Sequence, residues 1–284
     1  MTVGEALNNA TQNLATAGVD TPKTNAEWLM VHVLGCSRPE LALRATDVLS
    51  QTEAESWGLL VERRAQRIPL QHLVGTVDFC GLELAVNEHV LVPRPETELL
   101  AEAAWSVAAA MDQPKVLDLG TGSGCLAIAV AVYAPESIVD ALDVSPGALA
   151  VAQANAQRHE VVNRLQFHEV DFRKQWPVLG PMDVIVSNPP YIPTAEIEEL
   201  PPEVRDHDPR LALDGGKDGL DCYRDLIDAG LAHLRSTGRL FLEIGDEQAG
   251  QVGQLIEEAG GRVLEVLPDL NNIERIVVAS PAIP

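Results

Sequence analysis

After Leu99 the 284-residue chain alternates short β-branched runs with helical stretches, and that alternation most constrains what it can fold into. Strands are expected over Lys115–Leu119, Ile138–Leu142, Leu165–Val170, Val184–Val186, Arg239–Ile244, Val263–Leu267 and Arg275–Val278. Helices are expected over Cys125–Ala134, Pro146–Arg158, Tyr223–Leu234 and Gln248–Ala259. Repeated βα units build a doubly wound, mostly parallel sheet, because each right-handed crossover lays its helix back on a sheet face. Ligands of such sheets sit in the crevice outside the carboxyl ends of the strands. The residues that follow each strand therefore carry the functional question.

The chain before Leu99 has a different rhythm. Residues 1–74 read as helical, with Val3, Leu7, Leu14, Trp28, Leu29, Val31, Val33 and Leu34 at roughly helical intervals. Thr21-Pro22 and Ser37-Arg38-Pro39-Glu40 carry helix-start chemistry, with proline at or near the first turn. Arg63, Arg64 and Arg67 form a basic cluster, read as a solvated helix face or, alternatively, a grip on an acidic or RNA-bearing partner. From 75 to 95 the period drops to two around a turn near Cys80-Gly81, which predicts a β-hairpin. Pro95-Glu96-Thr97-Glu98 then starts the next helix, acidic side chains suiting its first turn. The expected organisation is a helical domain over 1–74, a hairpin linker over 75–95 and an α/β domain over 96–284.

Composition excludes several functions. Lys and Arg number 20 against 42 Asp and Glu, a net charge of −22 that repels nucleic acid phosphate unless a local basic patch exists. The four cysteines (Cys36, Cys80, Cys125, Cys222) form no C-x-x-C pair and no Cys/His cluster with metal-ligand spacing. No metal site is expected, and the thiols read as small apolar residues in a reducing compartment. The first residues lack the basic and apolar regions of a signal peptide, and the apolar run Cys125–Ala134 is too short to span a bilayer. A cytoplasmic protein without membrane or direct nucleic acid partners is the expectation.

Four strand ends carry suggestive groups. The first runs into Gly120-Thr121-Gly122-Ser123-Gly124 and then a helix. Dinucleotide sites use G-x-G-x-x-G, but here the spacing is G-x-G-x-G and Cys125 stands where the third dinucleotide glycine belongs. Asp118 precedes the turn and would repel a phosphate, so a cationic ligand suits it better. S-adenosylmethionine, with its ammonium and sulfonium, fits that description. Asp143 ends the next strand, placed to accept both ribose hydroxyls of a nucleoside or to sit at the N-terminus of the following helix. Asp171 and Phe172 follow the third strand, where an acid could accept an adenine amino group and an aromatic ring could lie on the base. The fourth strand ends in Asn188-Pro189-Pro190-Tyr191. The two prolines stop the strand and leave the Asn side chain and nearby carbonyls free to bind something else.

With these residues in place the chain resembles the class I S-adenosylmethionine-dependent methyltransferases, in which N-P-P-Y marks enzymes acting on planar amide or amino nitrogen. Val90–Glu98 (V-L-V-P-R-P-E-T-E), Asp118–Ala129, Ser187–Pro193 and the spacing from Asp208 to Tyr223 are together similar to the PrmC/HemK family. The resemblance runs essentially end to end. It implies a Rossmann-like, seven-stranded, mostly parallel sheet with a small all-α N-terminal domain joined by a β-hairpin. It also implies methylation, at N5, of the glutamine in the Gly-Gly-Gln motif of class I peptide chain release factors, by a monomer whose helical domain recognises the substrate. Asn188, Pro189, Pro190 and Tyr191 would be catalytic. Gly120, Thr121, Gly122, Ser123, Gly124, Asp143, Asp171, Phe172 and Asn188 would bind the cofactor. The chain departs from the family pattern at Arg67-Ile68-Pro69, Asp208-Pro209 and Asp269-Leu270-Asn271-Asn272. Two other substrates pose the same chemistry: a ribosomal-protein glutamine, disfavoured by P-R-P-E-T-E, and the adenine N6 of DNA, disfavoured by the charge. A binding module without catalysis would keep the fold and lose cofactor affinity.

Overall fold

A computed structural model describes residues 1–177 and 179–282. They form two compact units: Met1–Thr76 with Pro201–His207, and Val77–Leu200 with Asp208–Pro284.

The first unit contains α1 (Val3–Thr16), α2 (Pro22–Leu34), α3 (Arg38–Leu43), α4 (Gln51–Ala65) and α5 (Leu70–Val74). Capping boxes start three of them, at Thr2/Glu5, Ser37/Glu40 and Ser50/Glu53, so each serine or threonine oxygen satisfies an otherwise unpaired N–H. Val3, Leu14, Leu29, Met30, Trp57 and Leu60 fill the core. Of the basic cluster Arg63 is exposed, but Arg64 and Arg67 are neither a solvated face nor a free patch. Arg64 is buried, donating to Asn25 Oδ1 at 2.8 Å and to Glu203 Oε1 at 2.8 Å. Arg67 reaches the same carboxylate at 2.7 and 2.6 Å. A buried guanidinium needs a counter-charge, and the chain supplies it from 136 to 139 positions away, beyond any helical pattern. Although burial alone would raise the Glu203 carboxyl, Arg67 and Arg64 pull it down to about 2.

The second unit opens with a hairpin of β1 (Thr76–Phe79) and β2 (Leu82–Ala85). Cys80 and Gly81 both take positive φ, 54° and 74°, the geometry of a tight two-residue turn. The strands stop at Ala85, well before the expected end at 95. Val90, in the stretch that follows, donates its N–H to the Asn87 carbonyl in a turn rather than to a strand. Next come α6 (Pro95–Ala109), β3 (Lys115–Leu119), α7 (Cys125–Tyr133), β4 (Ile138–Asp143), α8 (Pro146–Arg158), β5 (Leu165–Glu169) and β6 (Met182–Ser187). A short helix, α9 (Pro202–Arg205), lies in the segment that returns to the first unit. The chain ends with α10 (Asp221–His233), β7 (Leu234–Glu243), α11 (Ala249–Glu258), β8 (Gly261–Pro268) and β9 (Glu274–Pro281). β7 begins at Leu234, five residues before the expected start at Arg239, because Arg235–Thr237 are exposed and leave no hydrophobic signature.

The seven-stranded sheet has the order β5-β4-β3-β6-β7-β9-β8, parallel except for β9. Successive residues of β6 serve opposite faces: Val184 and Val186 pack with α6 and α7, Ile185 with α10 and α11. Both faces are covered, which explains the unbroken apolar run there. From β3 the chain steps through β4 to β5, then crosses to β6 on the other side of β3. That reversal is the switch point at which open α/β sheets bind ligands. Replacing Glu203 by alanine leaves Arg64 buried without its charge partner. We expect a loss of about 3 kcal/mol in chemical denaturation; a loss below about 1 kcal/mol, the level of an exposed pair, would show the contact to be incidental.

Candidate active site

The register places Leu119, Leu142 and Ser187 side by side, so the glycine turn, Asp143 and Asn188 emerge at one edge of the sheet. A cavity of about 370 Å³ opens there, a size that suits a small molecule. Gly120, Thr121, Gly122, Ser123, Asp143, Asp171, Phe172, Asn188 and Pro190 line it. So the sequence-predicted residues converge, with three exceptions: Gly124, Pro189 and Tyr191 are not on its wall.

The glycine turn is held from behind. Gly120 and Thr121 both donate N–H to the Leu142 carbonyl at 2.9 Å, and Gly122 donates to Asp143 Oδ2 at 2.8 Å. Gly124 donates to the Thr121 carbonyl at 2.8 Å. With these amides spent internally the turn is no nest for a phosphate. Gly120 and Gly122 take φ of 74° and 54°, and a Cβ on either would meet no atom within 4 Å. Backbone therefore faces open cavity space, which fits close approach by an uncharged or cationic nucleoside group. Asp143 Oδ1 accepts from the Ser145 N–H at 2.9 Å; burial pushes its carboxyl up and these amides pull it back.

Gly124 has a different reason to be glycine. A Cβ there would lie 2.9 Å from Ile128 Cδ1 and 3.1 Å from Ala152 Cβ, at φ 82°. It lets α7 pack against α8 and does not face the ligand space. Asp118, expected near the ligand, is fully buried beneath the turn. Its Oδ2 accepts from Thr121 Oγ1 at 2.7 Å and Ala127 N–H at 3.2 Å, which pins the turn to the start of α7. Burial pushes this carboxyl up to about 7, against the pull of those two donors. Asp171 lies on the cavity wall, but Lys174 (2.8 Å) and Arg173 (3.3 Å) hold its carboxylate, and the pair, Lys174 first, lowers its pKa.

Around Asn188 the polar contacts are denser than the motif suggests. Asn188 Nδ2 donates to Thr97 Oγ1 at 3.1 Å, and Ser187 Oγ donates to the Leu119 carbonyl at 2.7 Å, tying β6 to β3. Tyr191 points inward, its hydroxyl 3.4 Å from Glu243 Oε1, and its carbonyl accepts from Gln248 Nε2 at 3.0 Å. Arg94 lines the cavity and donates to Asp208 Oδ2 at 2.7 Å. Sequence reasoning missed Arg94, Thr97 and Glu243 as site residues. P-R-P-E-T-E signalled the first two, but read locally it is only a helix start.

A switch-point cavity, a glycine turn whose amides at Gly120, Thr121, Gly122 and Gly124 are bonded internally and an antiparallel β9 inserted beside β8 define an S-adenosylmethionine-dependent methyltransferase of the Rossmann-like class. Among solved structures a methyltransferase from Pyrococcus furiosus has this fold, with a TM-score of 0.54 at 17% identity over 72% of this chain and 91% of that one. Residues 5–75 match the PrmC N-terminal domain and residues 96–200 the methyltransferase small domain. The release factor glutamine methyltransferase of Geobacter sulfurreducens is 41% identical over 97% of this chain and 95% of its own. That of Deinococcus radiodurans is 41% identical over 99% of each. The chain belongs to the release factor glutamine methyltransferase family.

Two expectations follow from the turn. Gly122→Ala costs about 1 kcal/mol for its left-handed backbone, whereas Gly124→Ala adds overpacking of about 1–3 kcal/mol; equal Tm losses for the two would contradict the packing role. Asp118, near 7 when folded against an ordinary 3.8, keeps a proton that the unfolded chain releases. Stability from that proton is complete below the ordinary value and is lost as pH rises through about 7. Asp118→Asn removes the titration, so its Tm should gain on wild type as pH rises from about 5 to 8; parallel Tm curves would rule this out.

Proposed function

We propose that the chain methylates the side-chain amide nitrogen of the glutamine in the Gly-Gly-Gln motif of class I peptide chain release factors. The observation that carries the reading is Asn188 on the cavity wall with its amino end already engaged by Thr97. Its carboxamide oxygen is thereby left as an acceptor for a substrate N–H. Membership of a family whose relatives are named for this substrate supports it.

Gly120, Thr121, Gly122 and Ser123 would hold the nucleoside and amino acid portions of the cofactor, with Asp143 on the ribose hydroxyls and Phe172 against the base. Gly124 would act behind them by packing. Asp171, already shared with Lys174 and Arg173, would meet the base edge. S-adenosylmethionine, when bound, supplies an electrophilic methyl group on its sulfonium. A glutamine amide nitrogen is a poor nucleophile because its lone pair is delocalised into the carbonyl, so orientation is the enzyme's main task. Asn188 Oδ1 and the Pro189 carbonyl would each accept one amide N–H, aligning the nitrogen and favouring the charge that develops on it. Pro190 packs the amide plane, and Tyr191 supports the motif through Glu243 and Gln248. The helical first unit would recognise the release factor, since the cavity alone has few means to choose one glutamine among many.

Mass spectrometry of a release factor incubated with the enzyme and S-adenosylmethionine tests this directly. One methyl group should appear on the Gly-Gly-Gln glutamine, and an unmodified glutamine would sink the reading. Asn188→Ala should lower kcat by roughly 10²–10³-fold and weaken cofactor binding, read by calorimetry, far less. Unchanged turnover would remove Asn188 from the mechanism.

A further inference from the structure

Glycine is a poor residue inside a helix, because it loses more backbone freedom on folding than alanine does. Gly147 nevertheless stands second in α8, after Pro146 and before the buried Ala148. Its backbone is ordinary helix, so conformation does not demand glycine there. Crowding does. A Cβ on Gly147 would lie 2.8 Å from Cγ, 3.1 Å from Cβ and 3.1 Å from Cδ2 of His89, its three nearest heavy atoms. The missing side chain makes room for one imidazole ring.

The stretch that carries the ring is fixed on α8. Val86 and Val90, on either side of His89, are buried with Ala148 and Val151. The His89 N–H donates to Asn87 Oδ1 at 3.0 Å, and the Val90 N–H to the Asn87 carbonyl at 3.2 Å. Behind them the buried Asn155 of α8 grips the end of β2. Its Oδ1 accepts from the Ala85 N–H at 2.7 Å, and its Nδ2 donates to the Ala85 carbonyl at 3.0 Å. The same Nδ2 donates to the Ser123 carbonyl at 2.9 Å, so this stretch and the glycine turn share one anchor. His89 itself is exposed, and it lines the cavity together with Asp143 and Ser145.

A ribose hydroxyl donates one hydrogen bond and can accept others. A carboxylate only accepts, and both Asp143 oxygens already take a backbone N–H, one from Gly122 and one from Ser145. Hydroxyls that donate to Asp143 therefore need a donor from another side chain. An imidazole carries at least one N–H whether neutral or charged. The ring of His89 lies against Gly147, two residues past the Ser145 whose N–H is bound to Asp143 Oδ1.

We propose that His89 is a further cofactor-binding residue, which donates a ring N–H to a ribose hydroxyl that itself donates to Asp143. Gly147 admits the ring, and Asn155 holds the stretch that presents it. The role rests on the proposed placement of the ribose on Asp143.

Calorimetry with S-adenosylhomocysteine, the product that lacks the transferred methyl, tests this without a release factor. Thermal unfolding establishes that each variant is folded. His89→Phe keeps a flat ring on Gly147 but has no N–H, and should weaken binding about 5-fold, the worth of one hydrogen bond. His89→Gln keeps a donor and should recover most of that loss. Gly147→Ala forces the ring aside and should weaken binding to a similar degree. In a His89→Ala background it should have no effect, because residues acting through one group are not additive. With the S-adenosylhomocysteine analogue whose ribose lacks both hydroxyls, His89→Phe should bind as wild type does. On a release factor, the KM for S-adenosylmethionine should rise in His89→Phe by the same factor, with kcat unchanged. Wild-type affinity in His89→Phe, or an equal loss for the two ligands, would overturn the proposal. So would a Gly147→Ala loss that survives removal of the ring. If no release factor glutamine is methylated but S-adenosylhomocysteine binds with this dependence, the substrate is wrong and the role of His89 stands. If Asp143→Ala leaves S-adenosylhomocysteine binding unchanged, the ribose lies elsewhere and both roles fall.

Discussion

The pairing of Leu119 in β3 with Ser187 in β6 is the contact on which the site depends. It is not made between neighbours in sequence, and it exists because the chain reverses direction across the sheet after β5. It sets the glycine turn beside Asn188 without either segment having to order itself alone. Ser187 Oγ on the Leu119 carbonyl adds a side-chain bond at the same step, at 0% exposure and with no water to compete. Below it the strands are apolar on both faces, so a slip of one residue would exchange Val184 and Val186 with Ile185 across the sheet. The cavity is therefore positioned by core packing, and its polar groups are left to choose orientation and charge.

Those polar groups sit in buried environments of one kind. Asp118 beneath the glycine turn and Glu243 behind Asn188 are both carboxyls at strand ends, both driven up to about 7 by burial and both opposed by hydroxyl donors. Neither lines the cavity. Asp118 orients Thr121, which does, and Glu243 holds the Tyr191 hydroxyl of the N-P-P-Y motif. A site that must align a weak nucleophile gains from such support, because an error of an ångström in placement weighs more than the strength of any one bond.

Much of this was legible from the sequence, and the limits have physical causes. Strand and helix positions followed from the period of apolar residues, and Pro146–Arg158 begins and ends where its pattern does. The strand ends Gly120, Asp143, Asp171 and Asn188 could be expected at one edge because parallel sheets align their carboxyl ends. Glu203 could not be connected to Arg64 and Arg67, since an ion pair across more than a hundred residues leaves no periodic trace. Thr97 and Glu243 were hidden for another reason. A threonine near a helix start and an acid at a strand end are both ordinary locally, and their meaning lies only in tertiary contacts, Thr97 with Asn188 and Glu243 with Tyr191. Asp118 was seen and given the wrong direction. A carboxylate before a glycine turn can point at the ligand or under the turn, and the Thr121 hydroxyl and the Ala127 N–H in the first turn of α7 decide for the latter.

The departures from the family pattern also resolve in terms of geometry. Asp208 meets Arg94 of the P-R-P-E-T-E segment at 2.7 Å with its side chain 1% exposed. Arg94 and Pro209 then stand on the same cavity wall, so the two motifs that are 114 residues apart form one structural piece. In the loop Asp269–Asn272, Asn272 takes φ 63°. Asparagine is among the few residues that tolerate the left-handed region. Asp269 steadies the loop by accepting from the Asn271 and Ile273 N–H groups at 2.8 and 3.1 Å, while Arg275 lies against its other oxygen at 3.3 Å. Arg275 in turn donates to the Ile244 carbonyl, one residue beyond Glu243. The loop is thus anchored through Arg275 to the end of β7, next to Glu243.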